Sequence, residues 1–209
     1  MKKKPDRVTD VFERVEPGER KAIKRKIMAI ALACFDEFGI EAATVEQIRD
    51  LAGSSTGSVY HHFKNKEGLI AALYFAALDD QLALTQPRVE AAFTAKDAIH
   101  ALVQSYLEWV TDQPRLARFL FRARPSISES EYRDALLRRN EIRYGLLLNW
   151  LAEGGEAGTI RKLPREMYAS LLIGQSDNYC RAWVFGRAKA KPLDYVEIFA
   201  EAAWRSVCA

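Results

Sequence analysis

Thr44-Val45-Glu46-Gln47-Ile48, followed by Ala52-Gly53-Ser54-Ser55-Thr56-Gly57-Ser58-Val59-Tyr60-His61-His62-Phe63, is the stretch that decides the fold. Thr44 is a helix N-cap residue, because its hydroxyl can accept from the free backbone N–H groups of a first turn. Val45, Ile48 and Ala52 recur at i, i+3 and i+7 and therefore share one buried face. Gly53 can take the positive φ that ends a helix and redirects the chain. Ser55 caps a second helix, and Val59 and Phe63, four apart, anchor it inward. Thr56, Gly57, Ser58, Tyr60, His61 and Lys64 are left facing outward, offering short hydroxyls, bare backbone and donors suited to phosphate and base edges. The pattern is a helix-turn-helix over 44–63 with an outer face that suits DNA.

On the amino-terminal side, Ile23, Ile27, Ile30, Ala31, Cys34, Phe35 and Phe38 form one apolar stripe. This predicts a helix from Arg20 to Phe38, stopped by Gly39. Residues 1–19 combine charge with Pro5, Pro17 and Gly18 and read as a flexible arm. Within it, Lys2-Lys3-Lys4 suits either a DNA groove or a solubilising tail. On the other side, Asn65 reads as the cap of a long helix carrying Leu69, Ile70, Leu73, Tyr74, Ala77 and Leu78.

From Thr85 onward the chain stays helical, with no alternating strand pattern. Thr94 caps a helix reaching Asp112, and Pro114 opens a short apolar one that Arg122-Ala123-Arg124-Pro125 reads as breaking. A further helix is expected over about 129–153, ended by Gly154-Gly155. Another runs from Pro164 to about Phe185, and the last begins at Leu193, with Val196, Phe199, Ala200, Ala203, Trp204 and Val207 in phase. The expectation is an all-α chain of about nine helices without internal repeats. Its two C-terminal helices carry apolar faces fit to pair with a second copy.

The 209 residues are 49% apolar and 28% charged, the balance of a soluble globular protein. No apolar run approaches the ~20 residues that cross a bilayer. Met1-Lys2-Lys3-Lys4 leads into Pro5-Asp6-Arg7 rather than an apolar core, so no secretory signal is read and a cytoplasmic protein is expected. Cys34, Cys180 and Cys208 are odd in number and far apart, which suits a reducing compartment better than a disulfide framework or zinc. Of the formal charge of +3, all the excess lies early: through Lys66 there are 13 Lys and Arg against 10 Asp and Glu, and 18 balance 18 beyond it. Lys21, Lys24, Arg25 and Lys26 crowd the start of a helix, where the macrodipole disfavours cations. A crossing phosphate backbone would offset that, and so would Glu16 and Glu19.

Metal, cofactor and enzyme chemistry find no support in the motifs. His61 and His62 are adjacent, about 100° apart on a helix, whereas two ligands on one helix want i, i+4 spacing. His100 lies far away in sequence. There is no Gly-x-Ser-x-Gly, no phosphate loop and no His/Cys constellation.

Residues from about Arg20 to Leu82 resemble the N-terminal DNA-binding domain of the TetR family of transcriptional regulators. The resemblance rests on Phe35-Asp36-Glu37-Phe38-Gly39, Thr44-Val45, Ala52-Gly53, Ser55, Gly57-Ser58-Val59-Tyr60-His61-His62-Phe63 and Lys66-Glu67-Gly68-Leu69, under a third of the chain. It implies a three-helix DNA-binding domain over 20–82, its third helix in a major groove. It also implies a larger helical ligand-binding and dimerisation domain over 83–209. By position in the family pattern, Thr44 and Lys66 match phosphate contacts, and Ser55, Thr56 and Ser58 match the start of the reading helix. Gly57 matches a close approach to the groove, Tyr60 and His61 an aromatic pair gripping the sugar-phosphate backbone, and Lys64 adds charge. Two positions depart from the pattern: Arg49 stands where a small alanine is usual, and Ser54 where an apolar residue is usual.

For an effector, the candidates are Tyr106, Trp109, Phe119, Tyr144, Asp177 and Tyr179, with a small apolar or aromatic molecule as the class. Core packing explains the aromatic residues as well. Asp177-Asn178 interrupt an apolar helix, and a polar group buried there needs a partner: a ligand, a water or a second copy. The whole reads as a homodimeric repressor on a near-palindromic operator, with half-site centres about 34–36 Å apart or a related spacing. An effector would shift the helix that starts at Asn65 and so the distance between two reading heads. Two other readings stay open: a TetR-like regulator answering to a partner protein, and a helical enzyme or carrier.

Overall fold

The computed structural model describes residues 8–209; Lys2-Lys3-Lys4 lies outside them. Among the described residues the chain forms ten α-helices and two short 3-10 turns, with one isolated β-bridge between Ile160 and Cys208. The all-α expectation holds, and the extra helix is the first. Where residues 1–19 read as a flexible arm, α1 (Val8–Val15) is a regular helix. Val8, Val11, Phe12 and Val15 fall at i, i+3, i+4 and i+7, and Val11 and Phe12 are fully buried. The Arg14 guanidinium reaches Asp80 at 2.8 Å.

The chain divides into two units. The first holds the residues up to Asp80 together with Arg115–Leu136. In it, α2 (Ala22–Phe38) packs against α1, α3 (Val45–Ala52) and α4 (Thr56–Phe63), and α5 (Lys66–Glu90) starts just after. Ile27, Met28, Phe35, Ile48, Phe63 and Leu73 are its buried centre. Ile23 and Phe38, at the two ends of α2, are exposed, so the buried stripe is shorter than the one expected over 23–38. Lys21 lies 2.7 Å from Glu16, Lys24 pairs with the same carboxylate, and Arg25 donates to the carbonyls of Glu16 and Gly18 at 2.9 and 2.7 Å. Burial acts to raise the Glu16 pKa, but the two ammonium groups outweigh it and hold the carboxyl below its ordinary value. Three of the four cations at the start of α2 are therefore held by the chain itself.

Helix α7 (Pro114–Ser128) belongs to this unit apart from its first residue. Phe119 stacks on Phe35, ring centroids 5.8 Å apart, and Arg118 donates to Asp36 at 2.8 Å. The break expected at Arg122–Pro125 does not occur. Proline forfeits one hydrogen bond, but Ala123 and Ile127 are both buried and carry the helix past it. Helix α5 likewise runs through Pro87, with Val89 buried just beyond. By length and composition α5 is apolar enough to cross a bilayer, yet 67% of its most apolar window is buried inside the protein.

The second unit holds Gln81–Pro114 and Leu137–Ala209. Here α6 (Ala95–Asp112) packs against α9 (Arg165–Val184) and α10 (Val196–Val207), which also pack on each other. Ile99, Val103, Leu107, Cys180, Ala200 and Val207 fill the space between them. Helix α8 (Arg133–Glu156) starts and ends a few residues later than expected, and α10 is preceded by a 3-10 turn at Pro192–Tyr195. The Arg161 N–H donates to Val207 O at 2.8 Å and the Ala209 N–H to Thr159 O at 3.0 Å, fastening the last residues to the loop before α9.

Candidate nucleic-acid interface

The α3–turn–α4 unit is held by short-range chemistry at each corner. The Thr44 hydroxyl accepts from the Gln47 N–H at 3.2 Å, and the Gln47 side chain accepts from the Thr44 N–H at 2.9 Å. This reciprocal capping box was legible in Thr-x-x-Gln. Gly53 sits at φ 57°, ψ 35°, a left-handed conformation that glycine adopts without the Cβ penalty. Ser55 then caps α4, accepting from the Ser58 N–H at 3.1 Å. Val59 and Phe63 are buried, whereas Thr56, Gly57, Tyr60, His61 and Lys64 are exposed and Ser58 is half-buried.

The two departures from the family pattern have distinct consequences. Arg49 lies across the turn: its guanidinium meets the Asp50 carboxylate at 2.6 Å and donates to Thr56 Oγ1 at 3.0 Å. It therefore braces the first residue of α4 instead of reaching free into solvent. Ser54 puts a hydroxyl where apolar contact is wanted, and its Oγ is buried without a hydrogen-bond partner. A polar group in that state costs on the order of 1–3 kcal/mol.

The exit from α4 is equally constrained. Lys64 is the only non-glycine residue with positive φ, 64°, among the described residues. Asn65 caps α5 by accepting from the Gly68 N–H at 2.7 Å. A Cβ on Gly68 would stand 1.9 Å from the Phe63 carbonyl oxygen, so only glycine fits there. Gly57 is the opposite case, since a Cβ there would meet nothing nearer than Ser55 Oγ at 3.9 Å. The fold does not demand its bare backbone. Lys66 donates to the Glu41 carbonyl at 2.8 Å, which ties its ammonium to the loop before α3 and leaves its other protons to spare. Next to His61, the His62 imidazole is held below its ordinary pKa, first by burial and then by the fields of His61 and Lys24.

Residues 27–73 match the family model for bacterial regulatory proteins of the tetR family. Over those residues the chain is similar to the TetR family. It is 33% identical over 85 residues to the HTH-type transcriptional repressor KstR2 of Rhodococcus jostii, covering 41% of this chain and 42% of that one. The match thus spans less than half the length of that relative. Among solved structures, a regulatory protein of the tetR family from Rhodococcus RHA1 aligns with a TM-score of 0.76 at 24% identity, over 90% of this chain and 98% of that one. FadR from Bacillus subtilis, in complex with stearoyl-CoA, aligns with a TM-score of 0.75 at 21% identity, over 86% and 97%. The last two likenesses show that the TetR fold extends through the second unit.

Within that second unit, α6, α8 and α9 enclose a half-open cavity of about 480 Å³. Of the six aromatic and acidic candidates, Tyr144 lines it, and Tyr106 lines a small cleft beside it. The other four are occupied elsewhere. Trp109 is core, and Phe119 stacks on Phe35 in the first unit. The Tyr179 hydroxyl donates to Ala190 O at 3.1 Å, and its ring packs on Tyr195 and Phe199. Asp177 finds its partners inside the chain: it accepts from the Tyr106 hydroxyl at 2.7 Å and from Arg181 at 2.6 Å. Burial, then the Asp177 charge, pushes the Tyr106 pKa far up, so the phenol stays a donor. The cavity wall is instead aliphatic, chiefly Leu137, Leu147, Leu151 and Leu172.

Proposed function

We propose that this protein is a sequence-specific DNA-binding transcriptional regulator, a repressor released from its operator by a small-molecule effector. One observation carries the reading: one face of α4 is built outward. Thr56, Gly57, Tyr60 and His61 stand exposed on a helix whose other face, Val59 and Phe63, is fully committed to the core. A short helix braced at its start by Arg49 and closed at its end by the Lys64–Gly68 turn can enter a major groove as one rigid piece. In that docking Thr44, Lys64 and Lys66 meet phosphates, Ser55, Thr56 and Ser58 lie at the groove entrance, and Tyr60 and His61 grip the flanking backbone. The DNA-reading domain is 20–82 with the helix-turn-helix at 44–63, and 83–209 serves the effector and the partner copy. Homodimers form through α9 and α10, on which Met167 and Ile198 stand exposed in the single chain. The leucine-walled cavity favours a small-molecule effector over a partner protein as the releasing signal.

The test is selection of genomic fragments by the purified protein, followed by operator affinity against salt for wild type, Thr56→Ala and Lys64→Gly. Glycine accepts the backbone of position 64 without strain, so the second variant removes charge alone. Lys64→Gly should flatten the log–log salt slope by about 1, and Thr56→Ala should weaken operator binding without changing that slope. Unchanged affinity and slope in both variants would overturn the assignment.

A further inference from the structure

The cavity of the second unit adjoins a cleft of about 40 Å³, and Leu102, Tyr144 and Ile173 border both. Among the residues lining that cleft a single one is charged, Arg143. The Thr85 hydroxyl donates to the Gln81 backbone carbonyl at 2.9 Å. Asp177, the acid nearest Tyr106, is satisfied by Tyr106 and Arg181. Arg143 donates to the Gln81 side-chain oxygen, a neutral acceptor, and among the described residues no carboxylate pairs with it. One of the two lone pairs of the Gln81 oxygen is thereby taken. What remains toward the cleft is the rest of the guanidinium and the Gln81 amide N–H groups, which only donate, beside the Thr85 and Tyr144 hydroxyls, which can donate or accept; the one charge in the lining is that of Arg143.

We infer that this cavity takes an elongated apolar molecule ending in a carboxylate, with the carboxylate on Arg143 and Gln81 and the apolar body along the leucines. This rests on the effector reading of the second unit given above and names the chemistry of its ligand. A half-buried guanidinium without a counter-ion is costly to keep desolvated, and a planar fork of N–H donors fits a carboxylate in two-point contact. The wide part of the cavity is bordered by exposed Glu141, Arg165 and Glu166, a net negative rim that offers an anionic head less than the uncompensated Arg143 does.

Binding of dodecanoate, methyl dodecanoate and dodecanol to the full chain, each below its micelle concentration, tests the inference by calorimetry without DNA. Dodecanoate should bind at least about 10-fold tighter than either neutral probe, the scale of one charge-assisted hydrogen bond. Arg143→Met should erase that preference while leaving dodecanol binding within about 2-fold. Ala169→Trp, which fills the wide part, should abolish all three. The wild-type preference is decisive even if Arg143→Met fails to fold. Equal binding of the three probes, or no binding by any, overturns the inference. Dodecanoate that binds without weakening operator affinity leaves the carboxylate site standing and removes the effector reading. Release from the operator by neutral ligands alone does the reverse.

Discussion

Replacing Gly57 with alanine separates what the fold needs from what a partner needs. Gly57 lies in the first turn of α4 with ordinary φ, and an added methyl meets only Ser55 Oγ, at 3.9 Å. Alanine should therefore enter without strain. Its better helix propensity and smaller unfolded-state entropy should stabilise the protein by about 0.4–1 kcal/mol. For a chain of this size that corresponds to a rise in Tm of roughly 1–4 °C at matched protein concentration. Glycine is thus retained at a cost that nothing inside the molecule offsets. If the reason is backbone approach to DNA, the same methyl occupies the contact. Operator affinity should then drop about 10-fold or more at constant salt. Differential scanning fluorimetry and fluorescence anisotropy on one preparation read both quantities. A variant that is more stable and binds the operator as wild type does would refute the close approach, and with it the docking of α4 given above.

Gly68→Ala should behave in the opposite way, because its Cβ would stand 1.9 Å from a backbone oxygen that cannot swing aside. A loss of about 2–3 kcal/mol in urea unfolding is expected, and a loss under about 0.5 kcal/mol would contradict the geometry. Ser54→Ala deletes a buried hydroxyl that has no partner and should stabilise by about 1 kcal/mol, read as a higher urea midpoint. Glu16 has a carboxyl held below its ordinary value of 4.5, so its contribution is complete above that pH and is lost as pH falls through the folded-state value. The urea-midpoint gap between wild type and Glu16→Gln should accordingly be widest near neutrality and narrow as pH falls below the ordinary carboxylate value. A gap that widens in acid would reverse the sign of the argument.

The helix-turn-helix was legible because its determinants are local. Thr44, Gly53, Ser55 and Asn65 each do their work within a few residues, and the structure uses each as the sequence suggests. The cation cluster of α2 was legible only in part, since Glu16 was visible as a neighbour but its double pairing with Lys21 and Lys24 was not. Helix α1 was hidden by Pro5, Pro17 and Gly18 on either side of a two-turn apolar pattern, and its stability comes from α2, not from its own length. Pro125 read as a break because the sequence shows the missing N–H but not the burial of Ala123 and Ile127 around it. The cavity was the least legible part. Asp177 is answered by Tyr106, 71 positions earlier in the chain, and no spacing announces that pair. Aromatic residues drew attention as ligand lining, yet most of them pack the core, and the wall is made of leucines that a helical stripe cannot assign to a cavity.

The seat of Phe12 against α2 has a practical consequence for dissecting this protein. An isolated reading head cut at Arg20, where the recognisable motif begins, would strip away Val11 and Phe12 and bare the apolar surface they cover, inviting aggregation that has nothing to do with DNA. Shortened versions should begin no later than the residues that lead into Val8, and a tag fused there should carry a spacer so that it does not pry that helix from its seat.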